Sequence, residues 1–342
     1  MEKYSQFRDR GSGISPFLPI PIEERSILLL PFYLFLFVIR VPILIGLSLS
    51  YLLFLQWLPI GSLGKKAILW CILGTPGIWW IDLQIDGVRR GSLGTKANKP
   101  KLPFPGTVIA SSYTSPIDCL YLAAIFDPIF TVSYPNTRSV RRVGLFEAML
   151  HALSYPRDTP PSNARLTTVA DLIRDNPDAS ILVFPECTTT NGRGILPFST
   201  SLLSVGPETK IFPINLRYTP ADITTPVPGT WLSFLWNLCS KPTHCIRVRI
   251  AEGVYNSAPK SQNTYDTNYF DELDKRETRQ RNGATNGDIS HNGESSVSKE
   301  EKQLLDQIGE ALARLGRVKR VNLGVKDKQQ FVATWSKNRR IW

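Results

Sequence analysis

Charge is nearly absent from the first third of the chain. Between Ser26 and Gly64 the only charged residue is Arg40, and after Lys65 and Lys66 the stretch 67–81 carries none. Aliphatic and aromatic residues surround each segment without leaving a polar face, which is the pattern of helices in lipid or deep in a core. Three apolar pieces stand out, 26–39, 41–58 and 67–81. A spanning helix needs roughly 20 apolar residues, and only the middle piece approaches that. Pro31 and Pro42 are expected to kink any helix through them, and Gly74, Pro76 and Gly77 to break the last piece. Two membrane arrangements follow: a pair of spanning helices, or a re-entrant hairpin in one leaflet. Arg40 at mid-bilayer would cost about 2.5–3.5 kcal/mol, whereas in a shallow hairpin it snorkels to the headgroups. If Lys65, Lys66, Arg89 and Arg90 all face the cytosol, the last piece enters and leaves by one face. Buried core helices are the plainer alternative. Residues 26–82 are thus expected to be membrane-embedded helices behind a polar N-terminus, 1–25.

From about Gly106 short apolar runs alternate with amphipathic stretches. Runs at 107–110, 129–133, 180–184, 211–216 and 245–250 predict strands, and 116–126, 139–153 and 163–174 predict helices. Runs such as Ile181-Leu182-Val183-Phe184 lack strict alternation, as strands covered on both faces do. The expected fold is α/β, a mixed, mostly parallel sheet flanked by helices over 100–255, preceded by the membrane hairpin. Ligands bind at the carboxyl ends of strands in such sheets, so the segments that follow each strand matter most: Ser111–Asp118, Pro185–Gly194 and Arg217–Pro220.

Residues 256–298 are poor in aliphatics and read as a low-complexity linker. Over 299–342 an amphipathic helix is expected, with Leu304, Leu305, Ile308, Ala311, Leu312 and Leu315 on one face, followed by a basic tail bearing Trp335 and Trp342. Such a tail suits an anionic membrane surface; a helix packed back on the domain is the competing reading. Trp231–Leu238 is either core or a further membrane contact.

Composition adds a formal net charge of +11 over 342 residues. A balance that basic favours anionic partners. No zinc-finger spacing, basic zipper or RNA-binding aromatic motif occurs, so nucleic acid is not an expected partner. Five cysteines, with no CxxC pair, provide neither a disulfide framework nor a zinc site, and suit the reducing cytosol.

Two segments carry candidate chemistry. In Ser111–Asp118, Ser115, Pro116 and Asp118 read as a helix cap, first-turn proline and capping-box acid. In Pro185–Gly194, Glu186 leaves a buried strand into a hydroxyl-rich loop. There Thr188, Thr190, Asn191 and Arg193 are candidates to bind phosphate oxygens. The plainer reading is a polar turn with Glu186 held by backbone amides. Of the three histidines, His151 at a helix C-terminus, which favours the protonated ring, fits a surface role, His244 before a strand fits a structural one, and His291 lies in the linker. Cys187 reads as a packed thiol rather than a nucleophile.

Together the two segments resemble the glycerolipid acyltransferase family, within it the fungal branch of lysophosphatidate:oleoyl-CoA acyltransferases. The family's Asn-His-x4-Asp aligns with Ser112-Tyr113-x4-Asp118, and its Phe-Pro-Glu-Gly-Thr with Phe184-Pro185-Glu186-Cys187-Thr188. Ile211-Phe212-Pro213-Ile214 resembles its fourth motif, and order and spacing agree over 105–252. The resemblance implies transfer of a fatty acyl group from acyl-CoA to the hydroxyl of lysophosphatidate or a related lysophospholipid. Acyl-CoA is then a co-substrate, with no bound cofactor and no metal. It implies an endoplasmic reticulum membrane, and a lipid-droplet location, with the α/β domain facing the cytosol. It puts Tyr113 and Asp118 in the catalytic positions, with Glu186, Thr188, Thr190, Asn191 and Arg193 as the substrate-binding set. Three departures stand out. Tyr113 replaces a histidine, and a phenol of pKa about 10 is a poor base at neutral pH. Cys187 replaces a glycine, which predicts an altered loop backbone. Thr189 stands where many members carry arginine, leaving Arg193, Arg217, Arg138, Arg141 or Arg142 to meet a phosphate. A catalytically degenerate lipid- or acyl-CoA-binding protein is the alternative function.

Overall fold

The computed structural model describes residues 2–21, 26–55, 62–88, 101–256 and 299–339. The 256–298 linker falls almost wholly outside them, as do Arg89, Arg90, His291 and Trp342.

Four parallel strands form the centre of one sheet: β2 (Val108–Ser111), β3 (Ile129–Ser133), β6 (Ile181–Val183) and β8 (Lys210–Thr219). The runs that predicted them have side chains buried on both faces, hence the missing alternation. One edge adds the antiparallel β4 (Val140–Val143) and β5 (Leu166–Thr167). At the other, β9 (His244–Ile250) runs antiparallel to β8 and carries β1 (Ile78–Ile85) in parallel. Short strands β7 (Gly194–Ile195), β10 (Val254–Tyr255) and β11 (Lys319–Arg320) make local pairs. The mostly parallel α/β expectation holds.

Helices cover both faces. On one, Ile109, Leu182, Phe212 and Ile214 pack in a common core with α2 (Ser62–Gly74), α3 (Pro116–Phe126) and α4 (Leu145–Leu153). On the other, Val108, Ala110, Ile181 and Val183 meet α5 (Val169–Asp175) and α7 (Lys299–Gly316), with α6 (Trp231–Ser240) lying between the two in sequence. The predicted helices over 139–153 and 163–174 begin as strands β4 and β5. Val140 and Val143 are buried against β3, so tertiary pairing overrides the helical reading there.

The N-terminal third needs the larger correction. The first two apolar pieces are one helix, α1 (Leu30–Ser50), continued by a π turn, Tyr51–Leu55. Pro31 sits in its first turn, where a missing N–H costs nothing, and Pro42 is accommodated inside it. Ile27–Leu53 is long and apolar enough to cross a membrane, and none of α1 is buried. The third piece does not form a second long apolar helix. Its helix α2 buries Leu69, Ile72 and Leu73 in the domain core, and its end is the edge strand β1. The expected hairpin is therefore not formed by a second apolar helix among the described residues.

Arg40 neither snorkels nor stands alone. It donates to the carbonyls of Pro76 (3.3 Å), Cys239 (3.3 Å) and Pro242 (3.0 Å), and to that of Lys241. Three of these belong to the end of α6 or just past it, where carbonyls lack intrahelical partners. Phe37 packs on Trp236 beside them, at 4.9 Å between ring centroids. The C-terminus also folds back rather than trailing free. α7 buries Leu304, Ile308, Leu312 and Leu315. Helix α8 (Val325–Arg339) packs Phe331 and Val332 against Phe7 and Phe17 of the supposedly polar N-terminus.

Candidate functional site

β2 ends at Ser111, and the chain turns directly into the cap of α3. Ser115 is extended and accepts the Ile117 amide, while Asp118 closes a capping box. Asp118 is wholly buried. It accepts the amides of Thr114 (2.7 Å) and Ser115 (2.9 Å), the Thr114 hydroxyl (3.1 Å) and the Tyr218 phenol. Burial raises its pKa to about 6, against the pull of these donors, so it remains ionised at neutral pH.

Tyr113 turns the other way. Its phenol donates to the Ala148 carbonyl (3.0 Å), and its ring stacks on Phe184 at 4.2 Å. No hydrogen bond joins it to Asp118 among the described residues. The two residues in the family's catalytic positions thus do not bond to each other, and Tyr218 takes one carboxylate oxygen of Asp118.

Glu186 is likewise buried, bridging the amides of Tyr113 (3.3 Å) and Leu196 (3.1 Å). Burial lifts its pKa to about 8, although those amides and Lys328 pull it down. Cys187 adopts φ +59°, the left-handed region that suits glycine. The loop has kept a glycine-type backbone despite the substitution, contrary to the expected alteration. The thiol is pushed up to about 12 by burial, which rules it out as a nucleophile at neutral pH.

The hydroxyl-rich loop faces inward. Thr188 and Thr189 bind the ammonium of Lys328, which reaches in from α8 to the Thr188 hydroxyl (2.9 Å), the Thr189 carbonyl (2.6 Å) and the Thr189 hydroxyl (3.0 Å). The Thr190 amide donates to the Tyr113 carbonyl (3.0 Å). Asn191 donates to the carbonyls of Ser15 and Leu18 (2.8 Å each), clamping the N-terminal segment. Thr188 and Thr190 thus bond within the protein, while Arg193 borders open space and Asn191, although held by those bonds, forms part of the same wall.

That space is a cavity of about 110 Å³, bordered by Thr114, Asn191, Arg193, Arg217, Tyr218 and Thr224. Both side chains that bond Asp118, Thr114 and Tyr218, form part of its wall, and two arginines form another part. On the Tyr113 side lies a recess of about 10 Å³, walled by Thr131, Ser133, His151, Phe184 and Cys187. His151 is held neutral there, its pKa lowered to about 4 by burial and nearby cations. His244 bonds the Leu238 carbonyl (2.9 Å), a structural role. Arg138 and Arg141 are paired with Glu301 and Glu147, away from the cavity. No cluster of metal-ligating side chains occurs among the described residues.

Residues 95–217, which carry both motifs and most of the cavity wall, match the family model described as Acyltransferase. The chain is 27% identical over 259 residues to the putative lysophosphatidic acid:oleoyl-CoA acyltransferase of Schizosaccharomyces pombe, covering 73% of this chain and 84% of that one. It is 25% identical to lysophosphatidic acid:oleoyl-CoA acyltransferase 1 of Saccharomyces cerevisiae, over 58% of this chain and 61% of that one. To the lysophospholipid acyltransferase LPEAT1 of Arabidopsis thaliana it is 29% identical, over 42% and 34%. No solved structure matches. Sequence reasoning missed two residues of this site. Tyr218 could have been found, because it lies in the Arg217–Pro220 segment that follows a parallel strand. Lys328 gave no signal, since it looks like one more lysine of a basic tail.

Proposed function

We propose that this acyltransferase transfers a fatty acyl group from acyl-CoA to the free hydroxyl of lysophosphatidate or a closely related lysophospholipid, at the cytosolic face of the endoplasmic reticulum or a lipid droplet. One observation carries the reading: the ionised Asp118, bonded to Thr114 and Tyr218, backs onto a cavity that also holds Arg193 and Arg217. The Arg193 guanidinium suits the phosphomonoester of the acceptor, and Arg217 adds positive charge at the cavity's edge. The printed names of the two fungal relatives support both the donor and the acceptor.

In the proposed reaction the acceptor hydroxyl gives its proton to the Tyr218 oxygen as the Tyr218 proton passes to Asp118. The lipid oxygen then attacks the thioester carbonyl carbon. The carbon–sulfur bond breaks, and the proton held by Asp118 returns through Tyr218 to the departing thiolate. An ester and free CoA result, and no acyl-enzyme forms. Asp118 supplies the basicity that Tyr113 lacks, and a raised carboxylate is a better base than an ordinary one.

Membrane attachment is proposed through α1 and the surface beside it. Trp79 and Trp80 on β1 are 69% and 72% exposed, and Trp231 and Leu232 open α6. Tryptophans in such a position suit the interface. Because Arg40 ties the middle of α1 to the domain, α1 is proposed to lie along the domain in one leaflet rather than cross away from it. Glu186 and the Thr188–Thr190 segment then act as scaffold behind the cavity, and Asn191 and Arg193 as substrate contacts.

The test is acyl transfer by the purified full chain in detergent, from labelled oleoyl-CoA to a panel of lysolipids. Transfer to lysophosphatidate above blank micelles, lost in Asp118→Asn, is expected. No transfer to any lysolipid would leave only the degenerate, lipid-binding reading.

A further inference from the structure

Past the cavity, β8 and β9 arrange a second group of cations. Arg217 lies opposite Arg247 in the ladder, and Asn215 opposite Arg249. The end of α7 covers them closely enough that a Cβ on Gly316 would sit 3.1 Å from the Asn215 amide nitrogen. Arg317 completes a shallow recess with these four residues and Gly316. Arg247 shares Asp82 at 3.3 Å, and Arg217 donates to the Gly316 carbonyl at 3.3 Å. Neither Arg217 nor Arg317 has a carboxylate partner among the described residues.

Two features of this recess run against local stability. Arg217 stands directly opposite Arg247 on the sheet, an unfavourable pairing of like charges that the single carboxylate of Asp82 offsets only in part. Arg317 occupies the left-handed position (φ +51°) that ends α7, with its amide donating to the Arg314 carbonyl (3.2 Å) and that of Val318 to the Ala313 carbonyl (3.0 Å). Glycine is the residue that fits such a helix end, and a side chain there is strained. An arginine kept in that position, over a crowded cationic ladder, is accounted for by an anionic ligand.

We propose that Arg217, Arg247, Arg249 and Arg317 hold the phosphates of the nucleotide half of the acyl donor. The proposal rests on the reading of this enzyme as acyl-CoA-dependent. CoA carries a diphosphate and a 3′-phosphomonoester, roughly four negative charges together, which suits a cluster of several guanidiniums better than a single lipid phosphate does. Arg217 borders both this recess and the reaction cavity. A donor seated by its phosphates here therefore has its thioester arm directed toward Tyr218, while Arg193 is left for the acceptor.

The experiment is calorimetric titration of the detergent-purified full chain with CoA and with 3′-dephospho-CoA. Arg249→Gln and Arg317→Gly are each expected to weaken CoA binding by about tenfold or more, and to narrow its margin over dephospho-CoA. Arg317→Gly relaxes the left-handed backbone, so its melting temperature should hold or rise, which separates lost binding from lost folding. CoA affinity within twofold of the parent in both variants overturns the proposal. So does loss of binding to phosphatidate-containing vesicles with CoA binding intact, which would make this a lipid-headgroup site. Arginine-dependent CoA binding without acyl transfer upholds the recess and sinks the reaction. Transfer with an unchanged KM for oleoyl-CoA in both variants does the reverse.

Discussion

Two small spaces flank the turn from β2 into α3, and they differ in almost every physical respect. The Tyr113 side is a recess of about 10 Å³, closed by stacked rings, with its phenol already committed to a backbone carbonyl. The Tyr218 side is about 110 Å³, lined by hydroxyls and two arginines, with an ionised carboxylate one bond behind its wall. Tyr113 and Asp118 belong to one short motif yet serve different sides. In the proposed mechanism the motif keeps its carboxylate in use although Tyr113 is packed away, because the Tyr218 hydroxyl reaches that carboxylate.

The comparison breaks most readily at Asp118. Asp118→Asn should lower turnover by about 10²- to 10⁴-fold, as expected for loss of a base, measured as initial acyl transfer with folding checked by circular dichroism. A smaller loss would remove Asp118 from the chemistry. Turnover of the parent should also fall as pH drops through about 6, because protonated Asp118 cannot accept the relayed proton. Tyr218→Phe comes next, at roughly 10- to 100-fold in kcat, since Asp118 survives but the bridge is gone. Transfer within threefold of the parent would break the relay.

How much of this was legible beforehand depended on how local each cause was. The central strands and α3 were readable because their signals lie within the segment: buried apolar runs, and a Ser115-Pro116-Asp118 cap. The carboxylate at 118 was legible for the same reason, whereas Glu186, expected among the substrate contacts, is bonded to the backbone amides of Tyr113 and Leu196 as in the plainer reading. α2 and β1 were misread because an apolar segment carries the same composition whether it faces lipid or a core. Only the packing of Leu69 and Leu73 distinguishes them. Arg40 was misjudged because its carbonyl partners at 239–242 lie some 200 positions away. The inward turn of Tyr113 was invisible too, since Ala148 offers a backbone oxygen and no side-chain signal.

Smaller effects sharpen the contrast between wall and scaffold. Lys328→Met strips the ammonium from three oxygens of the Thr188–Thr189 segment and leaves a buried carbonyl without a donor. It should destabilise the protein by about 1–3 kcal/mol, read by chemical denaturation. Unchanged stability would mean that the segment holds itself. Glu186 gives a pH signature. Its folded pKa of about 8 lies above the ordinary 4.5, so the native state binds more protons between those values. Its contribution is full below pH 4.5 and is lost as pH rises through about 8. The melting temperature should decline between pH 6 and 7, before the loss of a proton from buried Lys328, whose pKa is lowered to about 7, acts the other way, and Glu186→Gln should flatten that decline. An equal slope in the variant would assign the decline to another group.

The smallest expected effect is the most informative about the Tyr113 side. Tyr113→Phe removes one hydrogen bond to the Ala148 carbonyl and preserves the stack on Phe184. The cost should be about 1 kcal/mol of stability, with kcat within roughly threefold of the parent because no general base is lost. His151→Ala, which removes the neutral imidazole from the same recess, should be as mild in turnover. If either variant instead lost activity on the scale of Tyr218→Phe, the hydroxyl would be activated on the closed side. Asp118 would then be a helix cap and nothing more. A Tyr113→His variant adds the decisive direction. With Tyr218 already holding Asp118, a new imidazole at 113 has no orienting carboxylate, so it should not raise turnover unless Tyr218→Phe is made as well.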